Sequence, residues 1–206
     1  MAAKRVEVGP LADGDVVAAG AAIARAFQDE PMLVHVLPDP TERARRAPAF
    51  FAQGLAFARL VGAAYAPVAG PTAAVFGWPL PLEELPPERL AAAGLQPLPD
   101  VLGAEAAARF AALEASVEAA QARLVPPPCW YLAAIGVDPA HQGQGIGGAL
   151  ARAVLAQAAA AGLPACLWTD RAANLPFYRG LGMGLVGEGV APGSGLRYWI
   201  FRRDPA

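Results

Sequence analysis

The sequence predicts an α/β fold of the α+β kind, and three observations carry that prediction. Apolar residues make up 55% of the 206-residue chain, above the usual figure of about 45–50%, so a sizeable core can be buried and the composition argues against disorder. Residues 130–169 read as strand, glycine-rich loop, helix and strand. The chain then closes on a hairpin pattern, GLVGEGV and LRYWIF flanking the turn Pro192–Gly195.

Element by element, residues 4–9 (KRVEVG) alternate as a first strand, after which Asp13 can cap a helix running through Val16, Ile23 and Phe27. The segment QDEPM stops it. Asp39, Pro40 and Glu42 form a second start signal, an acidic N-cap with proline at the first helical position and a carboxylate at the third, and predict a helix to about Val61. Residues 63–68 and 72–78 read as short strands joined at Gly70-Pro71, and prolines between Pro79 and Pro99 mark a loop-rich connector. A helix is predicted over 104–123, a buried strand over 130–137, and a helix whose face carries Ile146, Leu150, Val154, Ala158 and Ala161. A strand over 164–169 and a short helix over 174–181 complete the pattern. With no internal repeat and no long linker, residues 1–206 are expected to form one domain.

The bulk properties narrow the function. A formal charge of -2, from 18 acidic and 16 basic residues, is too neutral for a dedicated nucleic-acid binder. No stretch of about 20 residues is uninterruptedly apolar, so no membrane span is expected. No apolar run follows Lys4 and Arg5, so no secretion signal is read there and a cytoplasmic location is the expectation. Cys129 and Cys166 lie 37 positions apart in apolar contexts and are expected to be reduced core residues. With only His35 and His141 and no clustered acidic ligands, no metal site is expected.

The most informative stretch is Asp138-Pro139-Ala140-His141-Gln142-Gly143-Gln144-Gly145-Ile146-Gly147-Gly148. Glycines between a strand and a helix let successive backbone N–H groups converge on a phosphate, and the helix start adds unpaired donors and the positive end of its dipole. Gly143, Gly145 and Gly148 also spell GxGxxG, with Asp170 at the end of the next strand. Against a dinucleotide site stand the five residues between Val137 and Gly143 and the 36 residues left after Asp170, too few to complete such a sheet. A P-loop is excluded because no Lys-Ser or Lys-Thr follows the glycines.

At these residues the sequence resembles the GCN5-related N-acetyltransferase (GNAT) superfamily, and within it the puromycin N-acetyltransferase-like enzymes. The acetyl-CoA loop of that family, Gln/Arg-x-x-Gly-x-Gly/Ala, is matched by Gln142-x-x-Gly145-x-Gly147. A strand ending in Val-x-Pro precedes the loop in the family and is matched by Val137-Asp138-Pro139. Downstream, Asn174, Phe177-Tyr178 and Leu181-Gly182-Met183 follow the family's Asn, Phe-Tyr and Leu-Gly-Phe. The likeness runs from about Tyr131 to Arg203, with fainter echoes at Ala26-Phe27-x-Asp29-x-Pro31 and Pro38-Asp39.

The resemblance implies a central mixed, mostly antiparallel twisted sheet flanked by helices, with its fourth and fifth strands splayed. It implies that Ile135, Gly136 and Val137 bind the pantetheine arm and acetyl carbonyl of acetyl-CoA through their backbone. Gln142, Gly143, Gln144, Gly145, Ile146, Gly147 and Gly148 would hold the pyrophosphate. A neutral amine would attack the thioester directly, and Tyr178 would serve the departing thiolate as general acid. Asn174 is either a cofactor contact or a helix N-cap. Arg171 either meets the 3′-phosphate or is solvated.

Where that branch of the family ends the fifth strand in Leu-Glu-Thr, this chain has Leu167-Trp168-Thr169. A base must then come from Asp170, Glu30 or an ordered water, and puromycin itself is not implied as acceptor. Trp168 either stacks on the acceptor or fills core. The expectation is an acetyl-CoA-dependent N-acetyltransferase acting on a small-molecule amine, as monomer or homodimer, with the cofactor half at about 129–206 and the acceptor half at about 1–128. The acceptor pocket is expected from residues 27–66 and the terminal hairpin. A catalytically silent acyl-CoA-binding module and an acetyltransferase for protein or peptide amines are the alternatives.

Overall fold

The structure, a computed structural model, describes residues 6–205. Seven strands form one sheet: β1 (Val8–Pro10), β2 (Ala63–Pro67), β3 (Ala73–Leu80), β4 (Cys129–Val137), β5 (Ala165–Thr169), β6 (Gly184–Val190) and β7 (Arg197–Arg203). Their spatial order is β1-β2-β3-β4-β5-β7-β6. Every neighbouring pair is antiparallel except β4 and β5, which are parallel. That pair meets only at Trp130 opposite Ala165 and Tyr131 opposite Cys166. Beyond these residues β4 stays with β3 as far as Val137, while β5 follows β7 to Thr169, so the two strands splay. The mixed, splayed sheet implied by the family resemblance is the one observed.

Helices cover both faces. On one side lie α1 (Val16–Phe27), α3 (Pro40–Val61) and α6 (Ala104–Leu124); on the other lies α7 (Ile146–Ala160). Ile23, Phe51 and Leu55 pack with Ala74, Phe76 and Ala134 on the first face, while Leu150 and Val154 pack with Val75, Leu132 and Phe201 on the second. Leu132 and Ala134 are two apart yet lie in clusters on opposite faces. The cause is a bulge: Phe76 pairs with Ala134 but Gly77 pairs with Leu132, leaving Ala133 as the extra residue on β4. Such an insertion reverses which residues face each side and re-aims the strand that follows.

The second half follows the expected order within a residue or two. The first half differs in three places. Asp13 does not cap α1; it opens a 3-10 turn over Asp13–Asp15 and its carboxylate pairs with Arg59 of α3. Chain reversal after Phe27 is followed at once by another helix, α2 (Pro31–Val36), because Pro31 sits at the first helical position, where its missing N–H costs nothing. The proline-rich connector also contains α4 (Pro87–Ala92) and α5 (Leu98–Leu102), each again begun by proline in its first turn. Of the first expected strand, residues 4 and 5 lie outside the described residues. The last helix, α8 (Leu175–Gly180), follows a 3-10 turn at Ala172–Asn174. The second start signal acts as expected: Asp39 Oδ1 accepts from the Glu42 N–H at 2.8 Å. Glu42 in turn holds Arg45 and Arg46.

Cys129 and Cys166 are both free and buried, and lie on β4 and β5 with their sulfurs 3.5 Å apart, just before the strands part. On β3, Gly77 lies against the bulge, where an added Cβ would sit 2.3 Å from the Tyr131 carbonyl oxygen and 3.1 Å from Leu132 Cα. Both are backbone atoms that cannot move aside. Gly77→Ala is therefore expected to lower stability by about 2–4 kcal/mol, seen as a lower denaturation midpoint at unchanged slope; a midpoint equal to wild type would show that the bulge tolerates a methyl group.

Candidate active site

The gap between β4 and β5 opens into a cleft of about 490 Å³. Its wall is the edge of β4 from Leu132 to Val137, and its far end is the loop leading into α7. No side chain caps α7, and the Ala149 N–H is the first to close on the loop, bonding the Gly145 carbonyl at 3.1 Å. The N–H groups of Ile146, Gly147 and Gly148 thus stand at an uncapped helix start, with its partial positive charge.

The loop takes its shape from left-handed backbone at Gly143 and Gly145, with φ of 75° and 79°, a conformation that costs other residues about 1 kcal/mol or more. An added Cβ at either would meet no atom within 4 Å, so the concavity they border is open. Gln142 Nε2 donates to the Val137 carbonyl at 3.1 Å and ties the loop back to the strand end. Asp138 caps the turn by accepting from the Ala140 N–H at 3.0 Å and also takes the Arg25 Nε–H at 2.7 Å. These two interactions, the backbone one first, hold its carboxyl below the usual range. The Nδ1 atom of His141, also on the cleft, is buried without a partner. Uncapped N–H groups, an open concavity and an orphaned imidazole nitrogen together fit an anionic group such as a phosphate.

The other end of the cleft is acidic. Tyr178, from α8, is buried there with Thr169, Asp170, Asn174 and Glu30 on the same surface. Arg171 donates to Glu30 Oε1 at 2.7 Å. A second tether joins the end of β5 to α2: the Met32 N–H donates to Asp170 Oδ2. Burial raises the Asp170 carboxyl to about 6, against the pull of that hydrogen bond and with the help of the Glu30 charge. Burial, then the charges of Glu30 and Asp170, push the Tyr178 hydroxyl well above the usual phenol range. Asn174 immediately precedes α8 but its side chain does not cap it; Nδ2 instead donates to Thr169 Oγ1 at 3.3 Å. Gly136 has a structural reason to be glycine, since an added Cβ would lie 2.9 Å from Ile23 Cα, where α1 crosses β4.

The structure therefore brings onto one surface Ile135, Gly136, Val137, Gln142, Gly143, Gly145, Ile146, Gly147, Gly148, Asn174, Glu30, Asp170 and Tyr178. Gln144 is exposed and is not part of that lining. Arg171 is engaged by Glu30, and Trp168 lies in the wall between this cleft and a second cavity of about 400 Å³. The second cavity draws on Phe27, Met32 and the α3 residues Phe50, Phe51, Gln53, Gly54 and Phe57. It also takes Phe76 and Trp78 from β3, Leu90 and Leu95 from the connector, and Phe110 and Glu114 from α6; no described residue of the terminal hairpin lines it. Sequence reading missed Glu114 because a carboxylate beside the buried Leu113 on an alanine-rich helix reads as a solvated face. The available signal was the leucines recurring in the connector, which something had to cover. Among the described residues no three His, Cys, Asp or Glu side chains group as metal ligands, and no helix is long and apolar enough to cross a membrane.

Comparison with known proteins agrees with this architecture. A profile of the Acetyltransferase (GNAT) family matches residues 82–183. A histone acetyltransferase HPA2-related acetyltransferase from Corynebacterium glutamicum superposes with a TM-score of 0.69 at 18% identity, covering 98% of each chain. A polyamine N-acetyltransferase of Drosophila melanogaster superposes with a TM-score of 0.66 at 19% identity, covering 97% of this chain and 100% of the other. For an agmatine N-acetyltransferase the TM-score is 0.64 at 18% identity, with the same coverage. With the splayed parallel pair, the uncapped α7 and the matched profile in agreement, the chain belongs to the GNAT acetyltransferase family.

Proposed function

We propose that the protein is an acetyl-CoA-dependent N-acetyltransferase whose acceptor is the primary amine of a small molecule. We take it to be a single cytoplasmic domain, with the cofactor held by residues from about 129 onward. One observation carries the reading: a continuous cleft runs from the uncapped start of α7, along the unpaired edge of β4, to the buried Tyr178. The amine-acetylating enzymes of the same fold support the acceptor class.

When bound, acetyl-CoA would supply an acyl group activated as a thioester. The N–H groups of Ile146, Gly147 and Gly148 would bind its pyrophosphate, with Gln142 and Gly143 shaping the loop around it. Backbone groups of Ile135, Gly136 and Val137, which β5 leaves unpaired, would align the pantetheine arm like an added strand. Tyr178 keeps its proton across the physiological range because its pKa is raised, and so can donate to the leaving sulfur. Asp170, with its carboxyl at about 6, is largely ionised at neutral pH and can accept the ammonium proton. Glu30 is engaged by Arg171 and acts on both groups through its charge.

The direct test is release of CoA thiol from acetyl-CoA on adding amines; CoA binding without turnover of any amine would instead assign a silent binding module. Tyr178→Phe is expected to lower kcat by about 10- to 100-fold with CoA affinity unchanged, and full activity would remove Tyr178 from the mechanism. Asp170→Asn keeps the acceptor for the Met32 N–H. In wild type the rate should fall as pH drops below about 6, where Asp170 takes up its proton; in Asp170→Asn that acidic limb should disappear, and its persistence would assign it to another group. Gly145→Val forces a side chain into left-handed backbone at the cradle and should weaken CoA binding by about tenfold or more in calorimetry.

A further inference from the structure

The second cavity adjoins the cofactor cleft, and Phe27, Met32, Ala133, Ala134 and Trp168 line both. These residues come from α1, α2, β4 and β5, so four elements border the junction, and on its β4 side it carries nothing larger than a methyl group. Past the junction the walls are rings held by one another. Phe57 meets Trp78 edge-on at 5.3 Å, Trp78 meets Tyr131 at 5.7 Å, and Phe50 meets Phe110 at 5.0 Å. Rings packed in this way present a fixed apolar shape rather than an adaptable one.

Polar groups are few. Gln53 Oε1 accepts from the backbone N–H of Gln96 at 2.8 Å, which closes the connector over the cavity. Among the described lining residues Glu114 supplies the one carboxylate, and there is no lysine or arginine. None of the ion pairs among the described residues includes it. Burial, with the neighbouring charge of Glu118, raises its carboxyl to about 7. A carboxylate kept among rings without a cation is a cost to the fold. Aromatic faces carry the same sign of field, so a cation beside Glu114 gains from the surrounding rings as well.

The reacting nitrogen has its place in the other space, beside Tyr178 and Asp170, and Glu30 at that end is already paired with Arg171. Glu114 is not needed for the chemistry, so the group that answers it is a part of the acceptor that does not react. An apolar body entering the cavity strips water from Glu114 and leaves its charge unpaired, a cost that only a second cation on that body offsets. Resting on the acetyltransferase reading, we infer that the acceptor carries two cationic groups joined by an apolar body: the reacting amine at Asp170 and Tyr178, and a distal one that Glu114 holds in the ring-lined cavity. A volume of about 400 Å³ takes a spacer of about six carbons or one ring.

The experiment uses the full chain with acetyl-CoA and two pairs of probes in which a methyl group replaces the distal amine: 1,6-diaminohexane against heptylamine, and 4-(aminomethyl)benzylamine against 4-ethylbenzylamine. CoA binding is measured first by calorimetry, and its absence overturns the acetyltransferase reading and this inference with it. With CoA bound, kcat/KM from thiol release at pH 8 should be at least about tenfold higher for the diamine of each pair. Equal rates, or preference for the monoamines, overturn the inference and leave the reading standing. Where no probe is turned over, calorimetry on the CoA complex decides: tighter binding of the diamines supports the inference, and equal or no binding overturns it. Glu114→Gln should abolish the preference by raising KM for the diamines about tenfold or more, with KM for the monoamines and CoA affinity unchanged. Ionisation of Asp170 or Tyr178 affects both members of a pair alike, so the pH dependence of the preference isolates Glu114. In wild type the preference should grow as pH rises through about 7, where Glu114 loses its proton, and in Glu114→Gln it should be flat. Among the described residues Glu118 on the same helix and Tyr131 on β4 are the titratable groups facing Glu114, and both remain in the variant. The variant should melt no lower than wild type at pH 8, since its folded state holds no unpaired carboxylate there; an unchanged preference in this folded protein overturns the role of Glu114.

Discussion

The ladder between β4 and β5 ends after two residue pairs, and most of the molecule is arranged around that ending. Strand edges carry donors and acceptors that must find partners in water or in a ligand. Here the exposed edge lies in the middle of a sheet instead of at its margin, so the partner must enter the fold to reach it. Beyond the point of parting, the Ala133 bulge turns the following residues over, and Gly136 lets α1 cross directly above them. The same opening gives access to the N-terminus of α7, and the ring-lined cavity adjoins it behind Trp168.

The two ends of the cleft carry opposite electrostatic character. At the α7 end, unpaired N–H groups and the helix dipole offer partial positive charge, and no lysine or arginine is among the described lining residues. At the Tyr178 end, Glu30 and Asp170 act together on one hydroxyl. An anionic ligand and a cationic one would therefore be drawn to different ends and meet between them. A net charge of -2 is compatible with anion binding because the donors belong to the backbone and are fixed in direction, which makes a basic surface unnecessary.

How much of this the sequence discloses depends on how local each cause is. The glycine loop, its preceding strand and the following helix are legible because glycine placement and apolar spacing act over a few residues. The bulge is not legible, since nothing in Leu132-Ala133-Ala134-Ile135 distinguishes an inserted alanine from a regular one; only pairing with Phe76 and Gly77 reveals it. Proline reads equally as a breaker and as a first helical residue, which concealed α2, α4 and α5. The tether of Asp170 to Met32 spans 138 positions, and the second cavity joins side chains from Phe27 through Glu114 to Trp168. The loop that would bind the cofactor is thus readable, whereas the cavity beside it is assembled from distant segments whose composition resembles ordinary core.

The contact between Cys129 and Cys166 also has a mechanical meaning. These thiols sit at the vertex of a wedge whose arms are β4 and β5, packed against each other beside the last residues the two strands share. From Tyr131 to Val137 the β4 arm extends about 20 Å. A tilt of about 5° at the vertex moves its tip by about 2 Å, a displacement on the scale at which misplacement of reacting groups costs about 100-fold in rate. Packing around two small buried side chains thus bears on the aperture of the cleft from the end of the strands farthest from the α7 loop.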